Sequence, residues 1–282
     1  MTRLTTDDII HNATQLADYD KELIAKTGCS LKAIACQAAG VQETEVQNII
    51  GSISVGVIPI TLGEGIISGF CDTVTRIASH IGCNAFMTQN TDVAGIAEAF
   101  EKRADVIMLA DDDRFIAIHT HSRRVVDNAV ATGNGFVAGL NLMAHGLEKK
   151  DVLVIGCGPV GCSAAEALVH LGAHVSVYDI NLSHRKELAN TIKQSLNAEI
   201  EIEEELDLAL TGHQYIVDAS PAADIIQAHH ITPDTYISAP GVPIGLSSDA
   251  QSKISNRLLH DPLQIGVATM VVCALKFHPP KG

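Results

Sequence analysis

The sequence predicts an α/β fold of two domains, the second built on a parallel sheet. Three observations carry this. The chain has 282 residues, too many for one small core and suited to two. Short apolar strands alternate with stretches of helical period, the pattern of βαβ units. The alternation breaks at the polar stretch "HGLEKKD" (145–151) and restarts behind it.

The composition is globular, with 46% hydrophobic and 18% charged residues. With 33 acidic against 19 basic residues the formal charge is −14, which repels nucleic acid and anionic lipid and mildly favours cationic ligands. No apolar run reaches the ~18 residues that a membrane helix needs. The opening "MTRLTTDDII" lacks the apolar core of a secretory signal. The seven cysteines form no CxxC pair, which fits reduced thiols. A cytoplasmic protein without membrane or nucleic-acid partners is therefore expected. His119 and His121 come closest to a ligand pair but lack a cysteine or carboxylate at metal spacing, so they read as structural or solvated and no metal is expected.

From Thr5 to about Lys26 the apolar residues Ile9, Ile10, Ala13, Leu16, Tyr19, Leu23 and Ile24 recur at helical spacing, with Thr5 and Asp8 as a carboxylate variant of the capping box. A second helical stretch follows. "VGVIPIT" (55–61) is a β-branched apolar run. Then come a helix over "IISGFCDTVTRIASHIG" (66–82), a strand "NAFMTQ" (84–89), a helix "VAGIAEAFEKRA" (93–104) and strands "DVIMLA" (105–110) and "FIAIHT" (115–120). A long helix is predicted from about Asp127 to Gly146. Beyond it, "DVLVIG", "HVSVYD", "YIVDAS" (215–220) and "YISAPG" (236–241) read as strands, with helices over "PVGCSAAEALVHLG" and "HRKELANTIKQSL". The apolar segment "QIGVATMVVCALKF" reads as a terminal helix that packs back on the first domain, because such a helix must bury its face. The domains are expected at 1–148, completed by 264–282, and at 149–263.

In "VLVIGCGPVGCSAAEALVHLGAHVSVYD", Gly156, Gly158 and Gly161 follow an apolar strand and open a helix, and Asp179 closes the next strand. That whole context points to an NAD-binding Rossmann domain. Gly156 permits a tight turn, Gly158 lets backbone amides approach a pyrophosphate, and Gly161 allows close helix–strand packing. Pro159 and Val160 begin the helix, whose free amides and partial positive charge suit the pyrophosphate. Asp179, with Ile180 beside it, would accept from the adenosine ribose hydroxyls and repel a 2′-phosphate, so NAD is favoured over NADP. Arg185 could soften that preference, though it better suits opening the next helix. Strand ends line the crevice of an open α/β sheet, so Ala219, Ser220, Pro221, Pro240 and Gly241 are expected to border the ribose and nicotinamide.

"VIMLADDDRFIAI" delivers Asp111, Asp112 and Asp113 at the end of an apolar run. Such a triplet can face solvent in a turn, a metal, or an amine-bearing substrate.

Taken together, "GVIPIT" with "GEGIISGF", "LADD" before "FIAIH", "DNAVATG", "VLVIGCGPVG", "SAPGVP" and "PLQIGVATM" resemble one family, the dehydrogenases of pyrrolysine biosynthesis, from the first ten residues to about Leu275. The resemblance implies an NAD-dependent oxidation of (3R)-3-methyl-D-ornithyl-Nε-L-lysine at the carbon bearing the terminal ornithine amine. The imine or semialdehyde is then captured by the ornithine α-amine to close the pyrroline ring. The resemblance places Asp111 and Asn128 against the amines of this small dipeptide, Asp111 being also a candidate proton acceptor. It places Phe70 and Leu4 against the aliphatic part, with the helix headed by Leu4 closing over the site. Glu64 and Gly69 depart from the small polar residues expected there. A homodimer would be ordinary. Two other readings compete. A shikimate- or methylenetetrahydrofolate-type dehydrogenase would need a catalytic lysine, and neither Lys32 nor Lys102 stands at a convincing strand end. A non-catalytic NAD-sensing domain would bind NADH without turning over an amine.

Overall fold

The computed structural model describes residues 16–63 and 65–276. The expected start of the N-terminal helix, with Leu4, therefore lies outside the described residues, as do Glu64 and residues 277–282.

The first stretch runs α1 (Leu16–Thr27), α2 (Leu31–Ala39), α3 (Glu43–Ile50), β1 (Ser54–Ile58), α4 (Phe70–His80), β2 (Asn84–Met87), α5 (Asp92–Glu101), β3 (Val106–Ala110), β4 (Phe115–His119), β5 (Arg124–Asp127) and α6 (Asn128–Met143). The second runs β6 (Asp151–Ile155), α7 (Pro159–His170), β7 (His174–Tyr178), α8 (Leu182–Leu196), β8 (Glu201–Ile202), α9 (Leu206–Gly212), β9 (Tyr215–Asp218), β10 (Tyr236–Ala239), α10 (Ser248–Ile254), β11 (Leu258–His260) and α11 (Gln264–Leu275). The chain divides into two compact units. One holds the residues up to Ile24, Cys29–Gly135 and those from Pro262 on; the other holds Ala25–Gly28 and Phe136–Asp261.

The first unit carries a sheet in the order β2-β1-β3-β4-β5. Its β1, β2 and β3 are parallel, with Val57 beside both Met87 and Met108. β4 and β5 run antiparallel to their neighbours, Ala110 pairing with Phe115 and Ile116 with Asp127. The βαβ pattern ends at β3, and the further strand expected at 115–120 runs antiparallel. Only residues 111–114 join β3 to β4, and a parallel crossover needs a dozen or more. β5 was not expected from the sequence, because its flanks are charged and its side chains largely exposed. α4 begins at Phe70 rather than Ile66, since Gly69 has φ +82°, outside helical space. Ala99, Ala104, Ile58 and Ile107 form a buried cluster between α5 and the sheet.

α11 is apolar all round, and every residue but Cys273 is buried. It belongs to the first unit, as expected, and packs chiefly along α2. Lys276 just beyond it reaches the Ala39 carbonyl at 3.3 Å.

The second unit carries an all-parallel sheet in the order β11-β10-β9-β6-β7-β8. Counted within the unit this is 3-2-1-4-5-6 read from the other edge, the doubly wound arrangement with its reversal between β6 and β9. Val152 to Ile155 on the central strand are buried, as a strand covered on both faces must be. Among the described residues no helix is long and apolar enough to cross a membrane.

Candidate functional site

In the second unit the loop from β6 into α7 has the shape that its glycines demand. Gly156 has φ +90°, and its amide donates to the Tyr178 carbonyl at 2.7 Å. A Cβ on Gly161 would lie 1.8 Å from the Gly156 carbonyl oxygen, so α7 can approach the turn only with glycine there. A Cβ on Gly158 would meet nothing within 4 Å. Gly158 is the residue just before α7, where Pro159 occupies the first position and Val160 the next. A phosphate placed there would find unpaired amides and the positive end of a helix, so the residues fit a dinucleotide.

Asp179, just past β7, is held rather than swinging freely. Its Oδ2 accepts from the Cys157 amide at 2.8 Å and Oδ1 from the Asn181 amide at 2.8 Å. Ile180 beside it is 92% exposed. Arg185 lies in the first turn of α8 and is buried. Its Nη1 donates to the Glu203 carbonyl at 2.5 Å and its guanidinium stacks on Tyr178. A side chain so engaged is poorly placed to take a 2′-phosphate.

The ends of β9 and β10 meet closely. The Ala219 amide donates to the Ile155 carbonyl at 2.8 Å, and the Gly241 amide to the Asp218 carbonyl at 3.0 Å. Ser220 is buried, Ala219 and Pro240 partly so, and Pro221 is exposed. A Cβ on Gly156 would touch Ala219 and Ser220 backbone at 3.0 Å, so the structure brings the glycine loop and "DAS" together. Sequence reasoning missed Asp218. The signal was a carboxylate closing an apolar strand, the same placement that marked Asp179.

In the first unit the parallel strands β1 and β3 end where β4 begins and β5 finishes. Asp111 and Asn128 therefore stand at one edge of the sheet, and Phe70 joins them through an edge-to-face contact with Phe115, ring centroids 5.2 Å apart. Asp111 is exposed, and its Oδ1 accepts from the amides of Asp113 (2.9 Å) and Arg114 (2.8 Å), an Asx turn. Asp112 lies against Gly63, where a Cβ would come within 1.9 Å of its carboxylate. Arg114 turns to Asp127 instead of the triplet, with Nε and Nη2 donating to Oδ2 at 3.1 and 2.9 Å. Asp127 also accepts from the Ala129 amide at 2.9 Å, which caps α6. The Asn128 amide group donates to Met270 Sδ at 3.2 Å.

Two further anchors hold this edge. Asp92 accepts from the Thr61 amide (2.8 Å) and hydroxyl (2.6 Å), fixing the loop after β1. Glu98 accepts from Lys102 at 2.7 Å, from the amides of Asn90 and Gln89, and from the Asn90 side chain. Lys102 first and these amides next hold its carboxyl at about 2. Lys102 is thus tied to Glu98 and Lys32 to Gln47, neither at a strand end.

His119 is wholly buried and its Nδ1 accepts from the Ser122 amide at 3.1 Å, the environment of a core histidine. Asp207, His229 and His230 bring a ligand atom each within 4.8 Å of one another. Nδ1 of His230, however, accepts from the Gln227 amide at 3.0 Å, so Nε2 carries the ring proton and gives it to Asp207 at 2.7 Å. In that state the ring has no lone pair for an ion.

Comparison with known proteins agrees with this geometry. Residues 8–126 match the family described as pyrrolysine biosynthesis protein PylD, N-terminal domain, and residues 126–234 match alanine dehydrogenase/PNT, C-terminal domain. The chain is 30% identical to the pyrrolysine synthase of Methanosarcina barkeri over 98% of both chains. In fold it resembles quinate dehydrogenase from Corynebacterium glutamicum in complex with NAD (TM-score 0.55, 14% identity, 80% of this chain and 93% of that one). A shikimate dehydrogenase in complex with NADP+ is similar in the same way (TM-score 0.57, 13% identity, 80% and 90%). The chain, with its PylD N-terminal unit and its doubly wound second unit, belongs to the pyrrolysine synthase family.

Proposed function

We propose that this protein is an NAD-dependent dehydrogenase that oxidises the terminal ornithine amine of (3R)-3-methyl-D-ornithyl-Nε-L-lysine, the ring-closing step of pyrrolysine biosynthesis. The observation that carries the reading is the 30% identity to a pyrrolysine synthase along 98% of the chain. The substrate bears three amines and one carboxylate. The first unit offers a matching acidic strand edge, and the chain carries a net charge of −14. The domains in this reading are 1–148 with 264–282 for substrate and 149–263 for cofactor.

Asp111 has one carboxylate oxygen engaged in its own turn. Its Oδ2 is the oxygen that takes an ammonium group, in a charge-assisted bond stronger than a neutral one. Asn128 offers a carboxamide oxygen to a second amine, and Phe70 with Leu4 covers the methylenes. The amine must lose a proton before oxidation, to Asp111, to bulk water or to the product's own amine. NAD, when bound, accepts the hydride from the amine-bearing carbon. Attack of the ornithine α-amine on the resulting imine and loss of ammonia close the ring.

Gly156, Gly158, Pro159, Val160 and Gly161 would hold the cofactor's pyrophosphate and Asp179 its adenosine ribose, with exposed Ile180 beside Asp179. Ala219, Ser220, Pro221, Pro240 and Gly241 border the other half. Preference for NAD follows from the Asp179 carboxylate and the engagement of Arg185. The test is NADH formation from NAD with ornithyl-lysine dipeptides, together with the product mass. NADH and loss of ammonia are expected with the dipeptide and not with shikimate. NAD binding without turnover would indicate a sensor instead, and better turnover with NADP would remove the role given to Asp179.

A further inference from the structure

The last residue of β9 carries a group that the reading above leaves unused. Asp218 has no exposed surface. Its Oδ1 accepts from the Ser220 hydroxyl at 2.7 Å and from the Ser220 amide at 3.2 Å. Its Oδ2 is buried against Gly245, where a Cβ would fall 2.0 Å away and whose amide helps to hold the carboxyl down. A Cβ on Gly241 would meet the Ser220 carbonyl at 2.1 Å. Glycine at these two positions lets the chain beyond β10 close over the tip of β9. Burying a carboxylate is costly even with these partners, so the group invites a functional account.

The direction of one hydrogen bond supplies that account. A serine hydroxyl has one proton and two lone pairs. Burial, its largest influence, pushes the Asp218 carboxyl up to about 6, with Ser220 and the Gly245 amide pulling it the other way. Its Oδ1 already accepts from the Ser220 amide, which marks that oxygen as an acceptor. The Ser220 proton therefore points at Asp218, and the serine oxygen is left with lone pairs alone. In a doubly wound sheet each half serves one mononucleotide. Asp179 and the glycine loop belong to β6–β8, so the nicotinamide half falls to β9–β11, with Ser220 just past the first of them.

We propose that Asp218 is a positioning residue that acts through Ser220. By taking the serine proton it makes that hydroxyl an obligate acceptor for the carboxamide N–H2 of a bound nicotinamide, and so sets which way the carboxamide turns. This rests on the NAD-dependent reading above.

The test measures binding of NAD and of 3-acetylpyridine adenine dinucleotide, which keeps the carbonyl and lacks the N–H, to the full chain. The proteins are wild type, Ser220→Ala, Asp218→Ala and the double variant, with Asp218→Val, which cannot accept, standing in should Asp218→Ala not fold. Each single variant is expected to weaken NAD by roughly three- to tenfold, the worth of one hydrogen bond. The double variant should be no weaker than Ser220→Ala, and the acetyl analogue should bind all of them alike. Additive losses, or equal losses with both dinucleotides, would mean that Asp218 merely supports the fold and would overturn the proposal. So would four proteins that bind NAD equally. If wild type binds neither dinucleotide, the failure belongs to the cofactor reading itself.

Discussion

At the carboxyl edge of the first sheet the chain presents side chains: Asp111, Asp112 and Asp113 stand exposed in a tight turn, with Asn128 and Phe70 on the same edge. At the corresponding edge of the second sheet it presents backbone, with Gly156 and Gly161 buried and Gly158 open. The first suits a ligand recognised by charge, the second one recognised by close approach to main-chain amides. Carboxylates follow the same division. Glu98 in the first unit is surrounded by donors and held at about 2, whereas Asp218 in the second is driven up to about 6 by burial. At Glu98 the donors win, whereas at the fully enclosed Asp218 burial outweighs the donors it has.

Substitutions can break this contrast. Asp111→Ala should have the largest effect, lowering kcat/KM for the dipeptide roughly a hundredfold, the loss of a charge-assisted bond, while NAD affinity is unchanged. A matching loss of NAD affinity would show that the residue serves its turn instead. Gly161→Ala comes next. Its Cβ would strike a backbone carbonyl that cannot move, so stability should fall by about 2 kcal/mol and NAD binding with it, read by thermal melting and calorimetry. Asp179→Ala should weaken NAD roughly tenfold and narrow its lead over NADP, with dipeptide KM little altered. Gly63→Ala should be milder at about 1 kcal/mol. Gly63 has φ +78°, but its steric conflict is with the movable Asp112 carboxylate. The smallest effect is a slope with pH. Glu98 has its carboxyl lowered from 4.5 to about 2 by folding, so its contribution is complete above 4.5 and is lost as pH falls towards 2. Glu98→Gln should flatten the stability profile across that window, and an unchanged profile would mean the network around Gln89 and Asn90 is idle.

The backbone-built edge was the more legible from sequence, because steric demands leave a fixed trace. Gly156, Gly158 and Gly161 stand where other residues would collide or block approach, and Asp179 ends its strand at the expected distance. The side-chain edge left less trace. A run of aspartates is compatible with solvent, metal or amine, and nothing in "DDDR" says that Arg114 will turn to Asp127. Very short strands were also lost: β8 has two residues and β11 three, too few for alternation to register. Asp218 escaped because a carboxylate inside an apolar run reads as its end, whereas here the strand tip is itself enclosed.

The placement of α11 has a consequence for synthesis. This most apolar of helices comes from the far end of the chain yet belongs beside α2. While the ribosome is still translating the second unit, the first has left the exit tunnel without the segment that fills its centre. Its core stays short of this helix until residue 275 emerges. Its neighbour has its last strand once residue 260 is made, before α11, and can fold in order from the amino end.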